Sequence, residues 1–125
     1  MTREELEGYI TDHFAAEGGH PIAEDPTITV FMRSDNKRWF AATKNIGWRF
    51  LEAGRDGRVD ILNLKLDPRV VSKLRRQEGF RPAWRMNQNN WVTVALDGSV
   101  ADADIRTYLD MAFADAGASG KGRKR

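Results

Sequence analysis

Two groups of side chains in this sequence could do chemistry by recognition. Amides and tryptophans crowd one short segment, Trp84-Arg85-Met86-Asn87-Gln88-Asn89-Asn90-Trp91. Amides read base edges, and exposed tryptophans stack on bases. Cations gather in another region, where Lys37, Arg38, Lys44, Arg49, Arg55 and Arg58 run from a turn into the loop that follows. Lys73, Arg75, Arg76, Arg81 and Arg85 could extend them into a basic face suited to phosphates. A structural expectation competes with each. Asn and Gln close turns through side-chain to backbone hydrogen bonds, while Trp84 and Trp91 pack into a core between sheet and helices. The cations alternate with Asp35, Glu52, Asp56 and Asp60, as on an ordinary solvated surface.

Catalytic patterns are missing from the sequence. No Ser-His-Asp order, phosphate-binding loop or glycine-rich dinucleotide motif occurs; Gly54-Arg55-Asp56-Gly57 is too short and follows no β-α context. His13 and His20 have no cysteine partner, and His20 with Glu24 and Asp25 falls short of a fixed three- or four-ligand metal site. Asp67, Asp97 and Asp102 are accounted for by capping and turn roles. The expectation is a protein that is not an enzyme and carries no cofactor or metal. Of the four tryptophans, Trp39 and Trp91 fall in strand patterns and are expected in the core. Trp48, after Asn45-Ile46-Gly47, is expected to be exposed.

The elements that must position these groups can be read from periodicity and caps. Thr2 and Glu5 form a capping box, followed by Leu6, Ile10 and Phe14 on one helical face, with Gly18-Gly19 as the expected stop. Thr27–Met32 and Arg38–Thr43 read as strands joined by the polar turn Ser34-Asp35-Asn36-Lys37, a hairpin. Val59–Leu66 reads as a strand with Leu62, Leu64 and Leu66 on one face and Asn63 and Lys65 on the other. Asp67-Pro68 opens a short helix with Val70, Val71 and Leu74, which Gly79 stops. Trp91–Leu96 is a strand, Asp97-Gly98 a turn, and Ser99 with Asp102 caps a last helix bearing Ile105, Leu109, Ala112 and Phe113. No β-α-β alternation is present, so the fold class is α+β: a single domain with a mostly antiparallel sheet and helices on one face.

Composition fits this reading. With 125 residues, 41% hydrophobic and 30% charged, the chain has the make-up of one globular domain. No apolar run approaches the roughly 18 residues of a spanning helix, the first residues lack a signal-peptide core, and cysteine is absent. A cytoplasmic location without membrane association is expected. The sequence pI is about 9.1. Four of the 20 basic residues are Lys121, Arg123, Lys124 and Arg125, and setting them aside leaves 16 against 18 acids. The basicity therefore sits in an expected disordered tail, residues 116–125, beyond a folded domain of residues 1–115.

Pro82, Trp84, Met86, Asn87, Trp91 and Leu96-Asp97-Gly98-Ser99 match, in order and spacing, a signature of the MmcQ/YjbR family of small bacterial proteins. Asp35-Asn36-Lys37 with Trp39-Phe40, and Asp60–Lys65 followed by Asp67-Pro68, resemble further family blocks, so the similarity covers about residues 2–115. It implies a curved antiparallel sheet packed against helices, and no established enzyme activity. Many members are labelled DNA-binding, which implies DNA as a partner class for a chain with a monomer favoured. The contact set under that reading is Lys37, Arg38, Lys44, Arg49, Arg81, Arg85 and Asn87. Gln88, Asn89 and Asn90 stand where the family carries basic or histidine residues, which removes phosphate contacts from this loop. The alternative is a protein–protein or small-ligand adaptor using an aromatic groove near Trp48 and Trp84.

Overall fold

In the computed structural model, which describes residues 1–118, the chain starts on the expected capping box. The Thr2 hydroxyl accepts the Glu5 N–H at 3.1 Å, and Glu5 Oε1 accepts the Thr2 N–H at 2.8 Å. Two donors that a helix start leaves free are thereby satisfied. Helix α1 runs Arg3–His13 and buries Leu6 and Ile10. It does not continue to Gly18-Gly19. Those glycines lie in strand β1, Ala16–Gly19, which pairs with β2, Thr29–Arg33. Gly18 allows a close approach there, since a Cβ would stand 3.0 Å from the Phe31 ring and the ring would have to shift.

Strand β3, Trp39–Gly47, is longer than its apolar pattern predicts, and it pairs with both β2 and β4, Arg58–Lys65. Helix α2, Pro68–Leu74, starts as expected, with Asp67 accepting the Arg69 N–H. The chain then forms a short strand that periodicity does not show, β5, Phe80–Pro82, before β6, Trp91–Ala95, and α3, Asp102–Ala118. The sheet order is β1-β2-β3-β4-β6-β5, antiparallel throughout. The α+β class and the antiparallel sheet are as the sequence predicts. Ser99 does not open α3. The Ala101 carbonyl takes the first helical bonds, from Asp104 and Ile105. The helix extends to Ala118, past the expected boundary at 115, because Ala112 and Ala116 are both buried in the core. The rest of the expected basic tail, 119–125, lies outside the described residues.

Cross-strand pairs share a face, so the register sorts the sheet into two. Phe31, Ala41, Leu62, Leu64, Val92 and Val94 meet Leu6, Ile10, Val71, Leu74, Ile105 and Leu109 from the three helices in the main core. A bulge opposite Phe31 and Met32 adds Phe40 to that side, where its ring meets those of Phe14 and Phe113. The other face, with Val30, Ala42, Lys44, Ile46, Val59, Ile61, Asn63, Thr93 and Ala95, has no α-helix, only the single 3-10 turn Trp48–Phe50. Loops cover it instead, building two smaller clusters around Trp48 and around Ile28.

Gly79 has φ +93° in the turn before β5, and a Cβ there would come within 2.6 Å of the buried Val100 side chain. Gly79→Ala combines backbone strain with overpacking and should cost about 1–3 kcal/mol. Urea unfolding of the two proteins measures this; an unchanged midpoint would show that the turn can relax.

Candidate functional site

The loop-covered face holds the chemistry. At its centre, two polar side chains are buried among apolar ones. Asn63 on β4 and Thr93 on β6 are paired in register, and the Thr93 hydroxyl donates to Asn63 Oδ1. Asn63 Nδ2 donates to the Trp84 carbonyl at 3.1 Å, and the Trp84 N–H donates to Thr93 Oγ1 at 2.8 Å. Both side chains are buried, and unpaired they would each be costly. Together they hold the backbone of Trp84 against the sheet from both sides. Arg85, next in the chain, has φ +57°, a left-handed conformation uncommon for a residue with a side chain.

The rest of the 83–90 loop is closed by its own amides. Asn87 Oδ1 accepts the Asn89 N–H at 2.8 Å, its carbonyl accepts the Trp91 N–H at 3.1 Å, and Gln88 Nε2 donates to the Ala83 carbonyl at 2.7 Å. Asn87 is thus engaged in turn geometry. Trp84 packs on the helix-free face, in contact with both loop-side clusters, and not between sheet and helices. Trp91, paired with Lys65, falls on that same face by register and is buried. Trp39 is only half-buried, at the margin of the Ile28 cluster.

A second loop, residues 20–28, lies over the neighbouring part of the face. Asp25 organises it by accepting the Thr27 N–H at 3.1 Å and the Thr27 hydroxyl at 2.6 Å. Lys44, pointing up from β3, reaches Asp25 Oδ2 at 3.0 Å and also meets the Thr27 hydroxyl. The side chains of Lys44 and Asp25 are 18% and 17% exposed, so this pair is largely out of water. The Thr27 hydroxyl and then the Lys44 ammonium hold the Asp25 carboxyl down at about 2, from 3.8.

Between the two loops lies a cavity of about 140 Å³. Ala42 and Asn63 form its floor, Ile22, Ile28, Trp84 and Met86 its walls, and Asp25, Lys44 and Arg85 lie along its lining. Of the seven cations and amides expected as contacts, the fold brings Lys44 and Arg85 to this cavity. Lys37 and Arg38 sit in the β2–β3 turn, with Lys37 paired to Glu17. Arg49 lies past the far end of β3, whose nine residues span roughly 26 Å. Arg81, on β5, bonds Glu52 at 2.9 Å and lies over the Trp48 ring at 5.6 Å. The set is therefore split between both ends of the sheet. Trp48 is buried at 7% exposure, contrary to the expectation of a surface tryptophan. Arg55 covers its ring at 3.4 Å, and its side chain completes the cluster of Ile46, Val59 and Ile61. It does not line the Trp84 cavity.

Ile22 and the strapping role of Asp25 escape sequence reasoning. Thr27 and Ile28, expected to begin a strand, lie in the loop before it, because β2 starts at Thr29. Among the described residues, no group of three or more His, Cys, Asp or Glu is placed to hold a metal ion. No helix among them is long and apolar enough to cross a membrane.

A family model described as YjbR matches residues 14–114. The uncharacterized protein YyaQ of Bacillus subtilis is 24% identical over 113 residues, which covers 90% of this chain and 96% of that protein. The uncharacterized protein YjbR of Escherichia coli is 36% identical over 56 residues, 44% of this chain and 48% of that one. Among solved structures, a Pseudomonas syringae protein superposes with a TM-score of 0.85 at 31% identity, covering 93% of this chain and 99% of that one. A Deinococcus radiodurans protein with a DUF419 domain shares the fold at 24% identity, with a TM-score of 0.68 over 99% of this chain and 83% of its own.

Two measurements test the site's construction. Thr93→Val keeps the shape but removes the hydroxyl that serves both Asn63 and Trp84, so stability should fall by about 1–3 kcal/mol. Hydrogen exchange should quicken at the Trp84 amide; an unaltered rate would show that Thr93 does not hold the loop. The second concerns acid. Asp25 titrates lower when folded than its usual 3.8, so its contribution is complete above that pH and is lost as pH falls toward about 2. Asp25→Asn should lower the thermal midpoint at about pH 6, and the two proteins should converge near pH 2; parallel curves would refute the latch.

Proposed function

The chain belongs to the YjbR family, and on that premise we propose that it is a non-catalytic binding protein whose ligand is a small, mainly apolar molecule with one polar end. One observation carries the reading: the cavity between the 20–28 and 83–90 loops, walled by Ile22, Ile28, Trp84 and Met86. Its 140 Å³ is close to the roughly 150 Å³ at which an apolar cavity takes up benzene. Apolar walls with a few placed polar groups are the usual make-up of a ligand site. The Asp25–Lys44 pair and Arg85 supply the polar end. Because Lys44 straps the 20–28 loop down through Asp25 and Thr27, entry would proceed by loosening that strap.

Duplex DNA is less well supported as the partner of the described residues. Lys37, Lys44 and Arg81 already have the acidic partners Glu17, Asp25 and Glu52. Lys37 and Arg38 are separated from Arg49 by the length of β3. Each phosphate contact withheld lowers both affinity and salt dependence.

Titration of the labelled protein with benzene and with benzoate tests the proposal. Saturable amide shifts are expected at Ala42, Lys44, Asn63 and Trp84, with dissociation constants of about 1 mM or tighter, as a probe of this size allows. Ala42→Leu should fill the floor and abolish them, while Met86→Ala should enlarge the cavity and admit a bulkier ring. Absence of saturation with the native protein and with Met86→Ala would refute the reading. Saturable binding of duplex DNA that Lys37→Ala and Arg38→Ala weaken would replace it.

A further inference from the structure

A second cavity lies at the C-terminal end of β3 and shares no lining residue with the first. It occupies about 360 Å³ and is lined by Gly47, Arg49, Phe50 and the segment 54–58, which contributes Arg55, Asp56 and Arg58. Three arginines and one carboxylate therefore line it, and Arg55 is paired with Glu52 at 3.0 Å. The loop that forms it is tightly tied. The Trp48 N–H donates to the Gly57 carbonyl at 2.9 Å, closing the ends, and the Trp48 carbonyl accepts from Leu51 and Glu52, both at 2.9 Å. Trp48 is buried beside the cavity, its ring covered by Arg55, one of the lining residues.

Phe50 is the feature this framework does not explain. At 53% exposure it is the one large hydrophobic side chain left exposed among the described residues. Its ring lies over Gly47, where a Cβ would be 3.6 Å away, and the Arg49 guanidinium stands 4.9 Å from the ring centroid. Arg49 has no acidic partner among the described residues. Arg58 is held in place by the Asn45 carbonyl at 3.0 Å and by the Asn45 side chain, and it has no salt-bridge partner among the described residues. The glycines at 54 and 57 have φ +82° and +91°, and no side chain projects from them into the cavity.

An exposed ring beside two guanidinium groups that are in no salt bridge among the described residues is complementary to a ligand that is aromatic at one end and anionic at the other. We propose that the 47–58 loop binds an aromatic phosphate of mononucleotide size, its ring stacked on Phe50 and its phosphate between Arg49 and Arg58. Stacking on an aromatic side chain and bidentate contact from arginine are the two interactions such a ligand offers. The volume falls within the roughly 300–1,000 Å³ of ligand sites. This site is independent of the Trp84 cavity and stands or falls separately.

The test is a titration of the labelled full chain at low salt with adenosine 5′-monophosphate, inorganic phosphate and adenosine in turn. The mononucleotide should give saturable shifts at the Gly47, Gly54 and Gly57 amides and bind more tightly than either half alone. Phe50→Ala, at an exposed position, should weaken it about tenfold, and Phe50→Tyr should restore it. Arg49→Ala should weaken the mononucleotide and inorganic phosphate alike. No saturable shift at these glycines would overturn the proposal. So would equal affinity for phosphate and mononucleotide together with indifference to Phe50→Ala, which would leave a simple anion site.

Discussion

The helix-free face is organised by one small hydrogen-bonded circuit, the contact of Asn63, Thr93 and the Trp84 backbone. A six-stranded sheet with helices on one side leaves its other side apolar at Val30, Ile46, Val59 and Ile61. Such a face must be covered. Here no α-helix does it. The covering is done by loops, and loops bring backbone N–H and C=O groups that need partners once water is excluded. Asn63 and Thr93 supply those partners from within the sheet, at the cost of two polar side chains in the middle of two central strands. Replacing them by valine and leucine would give a better strand and lose the loop.

From that anchor the rest of the face follows. Trp84 is fixed, so its ring can fill the space between the Trp48 and Ile28 clusters and form one wall of a cavity. Arg85 is carried into a left-handed conformation because the residue before it is bound on both sides. The 20–28 loop closes the remaining side, and it is held by charge where the other is held by neutral hydrogen bonds. One strap is buried and unaffected by acid; the other depends on a carboxylate and a lysine near the surface. The Glu52 carboxylate does similar work at the far end, where the Arg81 guanidinium, and then Arg55, hold it below the usual carboxylate range.

Local chemistry was legible in the sequence and distant chemistry was not. Thr2 with Glu5, Asp67 with Pro68, and Asp35-Asn36-Lys37 between two strands each act within a few residues, and each forms what it encodes. Strands β1 and β5 were invisible because a three- or four-residue strand has no periodicity of its own; it exists by pairing. Gly18-Gly19 therefore read as a helix stop. Trp48 read as exposed because its partners, Arg55, Ile61 and Ala95, arrive from two other strands and a loop. The same holds for Asn63, whose position opposite Leu62 and Leu64 suggested solvent. Its burial is decided by a loop 21 residues further on. Of the cavity residues, Lys44 and Arg85 could be found by charge, whereas Ile22 and Ile28 needed the knowledge that a second core exists.

The two outermost strands have a bearing on how any partner could approach. A sheet edge is a row of free backbone donors and acceptors, and an extended peptide or another sheet can dock on it by adding a strand. One edge of this sheet is four residues long and contains two glycines; the other is three residues long and ends in Pro82, which has no N–H to offer. Neither provides a continuous ladder for an incoming chain. The same shortness guards against the edge-to-edge stacking that long, flat edges invite. Recognition in this fold is thereby directed away from backbone pairing and toward side chains displayed by loops, which is where its cavities are.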